Sequence, residues 1–188
     1  MKIAVVSGSR MGNRTRTAVD YTVKEIKEKY PEAEVKLLDL SDYTIQFSDG
    51  RNYLDYEGDT LYVTTTLMEA DAIIIGTPIF QASIPGALKN LFDLLPEKAF
   101  LDKVVSILVT SGSPKHYLIV EQQLKPILSY MKAQIVQSYV FMEERDFYRK
   151  EIVNDDILFR IQRLVEDTVV LVRAYQAIRK EKEDQYGF

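Results

Sequence analysis

Cysteine is absent from all 188 residues, and histidine occurs once. Without thiols there is no disulfide, no thiol nucleophile and no thiolate metal site, which fits a reducing compartment. The single histidine, His116, has no Asp or Glu placed to orient it. A packing or hydrogen-bonding role therefore outweighs general-base catalysis there, and no metal-ligand spacing is visible. Basic residues do not dominate: 24 Lys and Arg stand against 28 Asp and Glu, for a net charge of −4 and a pI near 5.2. That balance argues against a broad nucleic-acid footprint while leaving room for a local basic pocket. No apolar run approaches the ~20 residues that span a bilayer. Met1 leads directly into a strand-like run, without a charged and apolar signal segment. The expectation is a cytoplasmic protein that engages neither nucleic acid nor membrane.

Two familiar phosphate fingerprints are missing as well. No Gly-Lys-Ser/Thr follows Gly8, and Gly8 and Gly12 are wrongly spaced for the dinucleotide motif, which also needs a third glycine. Ser7, Ser9 and Ser111 lack the strand–Gly-x-Ser-x-Gly–helix setting of a hydrolase nucleophile.

Hydrophobic residues make up 46% of the chain, ample for a core, and the length suits one domain over residues 1–188. Ile3 to Val6 is a β-branched run that stops at Ser7-Gly8-Ser9. Val19, Val23, Ile26 and Tyr30 then recur at helical spacing from about Thr15 to Tyr30, and Pro31 ends the pattern. Glu34 to Leu40 reads as a second strand. Ser41 to Gly58 is polar, turn-rich and aromatic, and reads as an irregular loop. Asp59 to Glu69 suits a short helix. Ala72 to Gly76 is continuous apolar sequence, the mark of a strand buried on both faces, and Thr77-Pro78 breaks it. Ile84, Leu88, Leu91 and Leu95 mark a helix between Pro85-Gly86 and Pro96. Val104 to Val109 is a fourth strand, ended by Thr110-Ser111-Gly112-Ser113-Pro114. Val120, Leu124, Ile127 and Met131 mark another helix. Pro126 inside it should bend it or open its carbonyl ladder near Gln122. Gln134 to Val140 is the last strand. A long helix from Asp155 to about Glu183 follows, with Leu158, Ile161, Val165, Val169 and Val172 on its apolar face.

About five strands thus alternate with helices, which predicts a doubly wound parallel α/β sheet with helices on both faces. Ligands of such sheets bind outside the carboxyl ends of the strands, near the switch in strand order. The rule gathers three loops on one rim. In the first, Ser9, Asn13, Arg14, Thr15 and Arg16 suit a phosphate, through small hydroxylated residues, free N–H groups, a helix dipole and forked guanidinia. The plainer alternative is a capped surface loop. In the second, Pro78 stiffens a turn whose Ile79 and Phe80 offer an apolar wall to a flat ring. Backbone groups around Phe80 and Gln81 could meet the ring's polar edge, although core packing would explain the same residues. In the third, Ser111, Gly112 and Ser113 could line the other polar edge, or simply cap a helix.

Three stretches carry a resemblance: GSRMGNRTRT (Gly8 to Thr17), GTPIFQASIPGALKNLFDLLPEKAF (Gly76 to Phe100) and VTSGSPKHYLIVEQQLKPILSYMKAQIV (Val109 to Val136). The chain resembles the NADPH-dependent FMN reductase family of flavodoxin-like proteins, over roughly Met1 to Val140. Within it, the chain is similar to bacterial reductases tied to sulfonate use and to azoreductases. Phe80 stands where the family turn often carries Tyr, and Gln122 where the sulfonate-linked reductases carry Tyr. The resemblance implies a five-stranded sheet in the order 2-1-3-4-5. It implies FMN held at the phosphate by Ser9, Arg14 and Thr15, and at the ring by Pro78 to Gln81 and Ser111 to Ser113. NADPH would reduce the flavin, and a free flavin, quinone or azo compound would take the electrons. Arg10 and Lys115 are candidate cations for the NADPH 2′-phosphate. A homodimer or dimer of dimers is implied as well. The competing class is a flavodoxin-type electron-transfer protein without nicotinamide turnover, although the first loop lacks the Thr-x-Thr-Gly-x-Thr form of that group.

Overall fold

The computed structural model describes residues 1–186. The β-branched runs become strands β1 (Lys2–Ser7), β3 (Ala72–Pro78) and β4 (Val104–Ser111), and β2 (Glu34–Asp39) lies outside β1. With β5 (Gln134–Ile135), all pair in parallel, in the order β2-β1-β3-β4-β5. Alternating side chains of β3 feed opposite layers. Ile73 and Ile75 enter one core beneath α2 (Gly58–Glu69) and α3 (Gly86–Asp93), while Ala72 and Ile74 enter the other beneath α1 (Arg14–Lys29). The second core also takes the long α5 (Asp155–Tyr186), whose buried face starts at Ile157, one residue before the Leu158 expected from the periodicity.

β3 runs through the expected break. Thr77 and Pro78 still pair with Val109 and Thr110 of β4, and β1 has already ended opposite Gly76. The missing N–H of Pro78 therefore interrupts no ladder.

The fifth strand is divided. β5 (Gln134–Ile135) and β6 (Val140–Glu143) both pair with β4, and two extra residues between them shift the register. The excursion carries Tyr139 into the first core, where its hydroxyl donates to the Tyr117 carbonyl at 2.8 Å. Beyond β6, a small antiparallel hairpin pairs β7 (Phe147–Tyr148) with β8 (Glu151–Ile152), an element the sequence patterns did not suggest.

Pro126 has the foreseen effect. A π-turn occupies Val120–Leu124, and α4 (Lys125–Tyr130) starts afresh with the proline in its first turn. The segment between β2 and α2 is irregular, as expected, yet firmly pinned. Tyr56 is buried, and its hydroxyl donates to Asp49 Oδ1 (2.7 Å) and accepts from Asp49 N–H (3.0 Å). Asn90 on α3 grips Gln46 and Ser48 from the other side.

Candidate functional site

The first loop leaves β1 at the switch between β2 and β3. Gly8 N–H donates to the Gly76 carbonyl at 2.7 Å, so the loop starts tied to the end of β3. Ser9 is buried, and its hydroxyl folds onto Met11, donating to the carbonyl (2.5 Å) and accepting from the N–H (3.1 Å). Gly12, at φ +86°, then turns the chain into α1 in a conformation that side chains rarely adopt. Asn13 occupies the N-cap without a side-chain cap bond, and the first turn carries no acid. The first helical bond runs from Thr17 N–H to the Asn13 carbonyl at 2.8 Å. The N–H groups of Arg14, Thr15 and Arg16 consequently have no partner within the helix, and the dipole adds partial positive charge at that point. The Thr15 and Thr110 hydroxyls share a buried 2.7 Å bond that stitches this turn to the end of β4.

The second loop contains a two-residue turn. Phe80 and Ser83 exchange both backbone bonds at 2.9 Å, and the central Gln81 and Ala82 sit at φ +48° and +56°. That is the left-handed pair of a hairpin turn normally built from Gly, Asn or Asp. Gln123, on the π-turn, holds it in place: its Nε2 donates to the Ala82 carbonyl at 3.1 Å, and its Oε1 accepts from the Ser83 hydroxyl. In the third loop the Ser111 hydroxyl accepts from Ser113 N–H (3.2 Å) and donates to its carbonyl (3.0 Å). Gly112 has open space where a Cβ would stand.

The three loops enclose a cleft of about 450 Å³. Eight predicted residues line it: Asn13, Arg14, Thr15, Pro78, Ile79, Phe80, Ser111 and Gly112. Met11, Gly12, Thr110 and Arg149 complete the lining. Four predicted residues stand outside it. Ser9 is spent on Met11, and Ser113 closes its own turn. Gln81 shapes the turn behind Phe80. Arg16 points toward the end of β2, where it donates to Asp39 (2.7 Å) and Asp20 (2.8 Å). Burial pushes the Asp39 carboxyl up, but the Arg16 guanidinium and the Ser41 N–H and hydroxyl outweigh it and hold the group below its ordinary value. Arg10 opens instead on a separate apolar hollow with Leu40, Ile45 and Phe47. His116 ends the turn Pro114–His116, away from the lining.

Arg14 pairs with Glu144, just past β6, at 2.6 Å. Arg149 reaches the cleft from the β7–β8 turn, and short-range pattern gave no sign of it: two-residue strands leave no periodicity to read. Met11 and Thr110 lie inside stretches already marked as loops, so their neighbours were the available signal.

The donor set suits a phosphorylated flavin. The first turn of α1 with its free N–H groups, Arg14 and Arg149, the apolar Ile79 and Phe80 and the open Gly112 backbone all border the one cleft, and its volume is typical of a small-molecule pocket.

An open parallel sheet in this order, with its cleft at the carboxyl rim between β1 and β3, defines a flavodoxin-like protein. The family model described as NADPH-dependent FMN reductase matches residues 1–147, and the chain belongs to that family. It is 40% identical over 170 residues to an NAD(P)H-dependent FAD/FMN reductase of Geobacillus thermodenitrificans, covering 90% of this chain and 92% of that one. It is 34% identical over 146 residues to an FMN reductase (NADPH) of Escherichia coli, covering 77% and 74%. Among solved structures, an NADH:FMN oxidoreductase in its apo form superposes with a TM-score of 0.75 at 27% identity, over 89% of this chain and 87% of that one.

Proposed function

We propose that this chain is an NAD(P)H-dependent reductase that takes hydride from NADPH onto FMN held in the rim cleft. The observation that carries the reading is the meeting of three loops, from β1, β3 and β4, in one cleft lined both by anion donors and by the apolar Ile79 and Phe80. FMN, when bound, supplies the hydride-accepting ring and hands electrons to a second acceptor, either free flavin, a quinone or an azo compound.

The protein's part is binding and orientation. First-turn N–H groups of α1 and the Asn13 side chain receive the phosphate. Ile79 and Phe80 support the ring and exclude water from one face. The backbone at Ser111 and Gly112, which lines the cleft, would face the polar edge of the ring where negative charge builds. No side chain need move a proton, so no catalytic acid or base is assigned. The reading treats residues 1–188 as one flavin-binding unit in the cytoplasm. It includes self-association as a dimer or dimer of dimers, supported by exposed Tyr117, Leu118 and Phe159. Among the described residues no helix is long and apolar enough to cross a membrane.

The test is purification with FMN, a flavin absorption spectrum, and steady-state oxidation of NADPH and NADH. Retained flavin with sustained NADPH oxidation is expected. A chain that binds no flavin overturns the reading. Bound flavin without nicotinamide turnover would favour the electron-transfer alternative.

A further inference from the structure

We propose that Arg149 is the charge-matching contact for the flavin phosphate, and that the β7–β8 turn makes this cleft select phosphorylated flavin over riboflavin. The inference rests on the reading of the cleft as a flavin site.

Charge accounting points to this residue. Eight of the ten arginines pair with a carboxylate among the described residues, and Arg10 and Arg149 do not. In the phosphate loop, Arg14 is committed to Glu144 at 2.6 Å and Arg16 to Asp39 at 2.7 Å. Of the two arginines that line the cleft, only Arg149 has no carboxylate partner among the described residues; its guanidinium lies over the Tyr148 ring, 5.4 Å from the centroid. A phosphomonoester dianion placed against α1's first turn would meet dipoles and two arginines that already face carboxylates, and Arg149 adds positive charge with no carboxylate to displace, as a two-pronged donor.

The backbone adds an independent sign. β7 and β8 are joined by Arg149 and Lys150, and Arg149 sits at φ +56°. A positive φ at the first position of a two-residue hairpin turn is where glycine is favoured. Keeping a long cationic side chain at such a position costs stability, and sites that keep such strain tend to be functional.

The decisive variant is Arg149→Gly, which removes the charge while giving the turn its favoured residue. FMN and riboflavin dissociation constants should be measured for the full-length wild type, Arg149→Gly and Arg149→Lys, with NADPH kinetics alongside. Expected in Arg149→Gly is a loss of FMN affinity of about tenfold, with riboflavin affinity within about twofold and unfolding stability kept or raised. Arg149→Lys should recover part of the loss. Raising the salt concentration should weaken FMN binding more in the wild type than in Arg149→Gly. Unchanged FMN affinity in Arg149→Gly overturns the proposal. So does an equal loss for both flavins, or a raised KM for NADPH with FMN affinity intact, which would assign the arginine to the nucleotide. A wild type that binds neither flavin overturns the reading of the cleft, and this proposal with it.

Discussion

Gly76→Ala tests how α1 is seated on the sheet. A methyl group at Gly76 would overlap Val19 Cγ2, with Thr15 Cγ2 3.3 Å away and the Val6 carbonyl 3.4 Å away. Val19 is wholly buried and has nowhere to swing. Alanine over glycine in a strand is worth about 0.5–1 kcal/mol through backbone entropy. Overpacking a tight core costs about 1–3 kcal/mol. The difference leaves the variant about 1 kcal/mol less stable, a drop of roughly 2–4 °C in Tm for a chain of this length. Urea and thermal unfolding followed by circular dichroism measure it. Val19→Ala alone should cost roughly 2 kcal/mol through the cavity it leaves. In the double variant the new methyl occupies that cavity, so the pair should cost at least about 1 kcal/mol less than the two single costs added. FMN binding should weaken in Gly76→Ala, because Thr15 and the first turn of α1 move with the helix, and recover in part in the double variant. Strictly additive costs, or a Gly76→Ala protein as stable as the wild type, would refute this account of the helix–sheet contact.

Asp39→Asn should be about 1 kcal/mol less stable than the wild type at pH 7, a figure kept small because Arg16 is 38% exposed to screening solvent. The folded carboxyl is held below its ordinary value, so its contribution is complete above about pH 4 and fades as pH falls through the folded value. Urea titrations at pH 7 and pH 3 should show the gap narrowing, and a gap independent of pH would contradict the assignment. Ala82→Gly should raise stability by about 0.5 kcal/mol, because it relieves the φ of +56° while loosening the unfolded chain. A lower unfolding midpoint in that variant would show the turn to be unstrained.

The alternation of strands and helices was legible because three β-branched runs are buried on both faces and separated by helical periodicity, whereas the strand order came only with the family resemblance. The rim followed from the parallel alternation, and eight of the residues assigned to it do line the cleft. Residue type cannot report direction, however. Arg16 has the right chemistry in the right loop, yet Asp39, 23 positions away, draws it off the rim. The divided fifth strand escaped notice because the excursion is set by Tyr139 reaching the Tyr117 carbonyl, 22 positions back. The order in the segment between β2 and α2 likewise comes from Asn90 bonding Ser48 across 42 positions. Such anchors belong to the tertiary fold, and no local pattern encodes them.

The β7–β8 hairpin is two residues deep on each side, and only Phe147 and Ile152 dock it on the core. The other boundaries of the cleft spring from β1, buried beyond Lys2, and from β3 and β4, buried along their whole length. Its perimeter is thus of unequal stiffness, because short two-stranded units open far more readily than a central sheet. A bound molecule would find its aromatic end on a fixed bed and its anionic end under a hinged clasp. Departure would begin at the clasp, so the lifetime of the complex would be governed by the few residues of this hairpin.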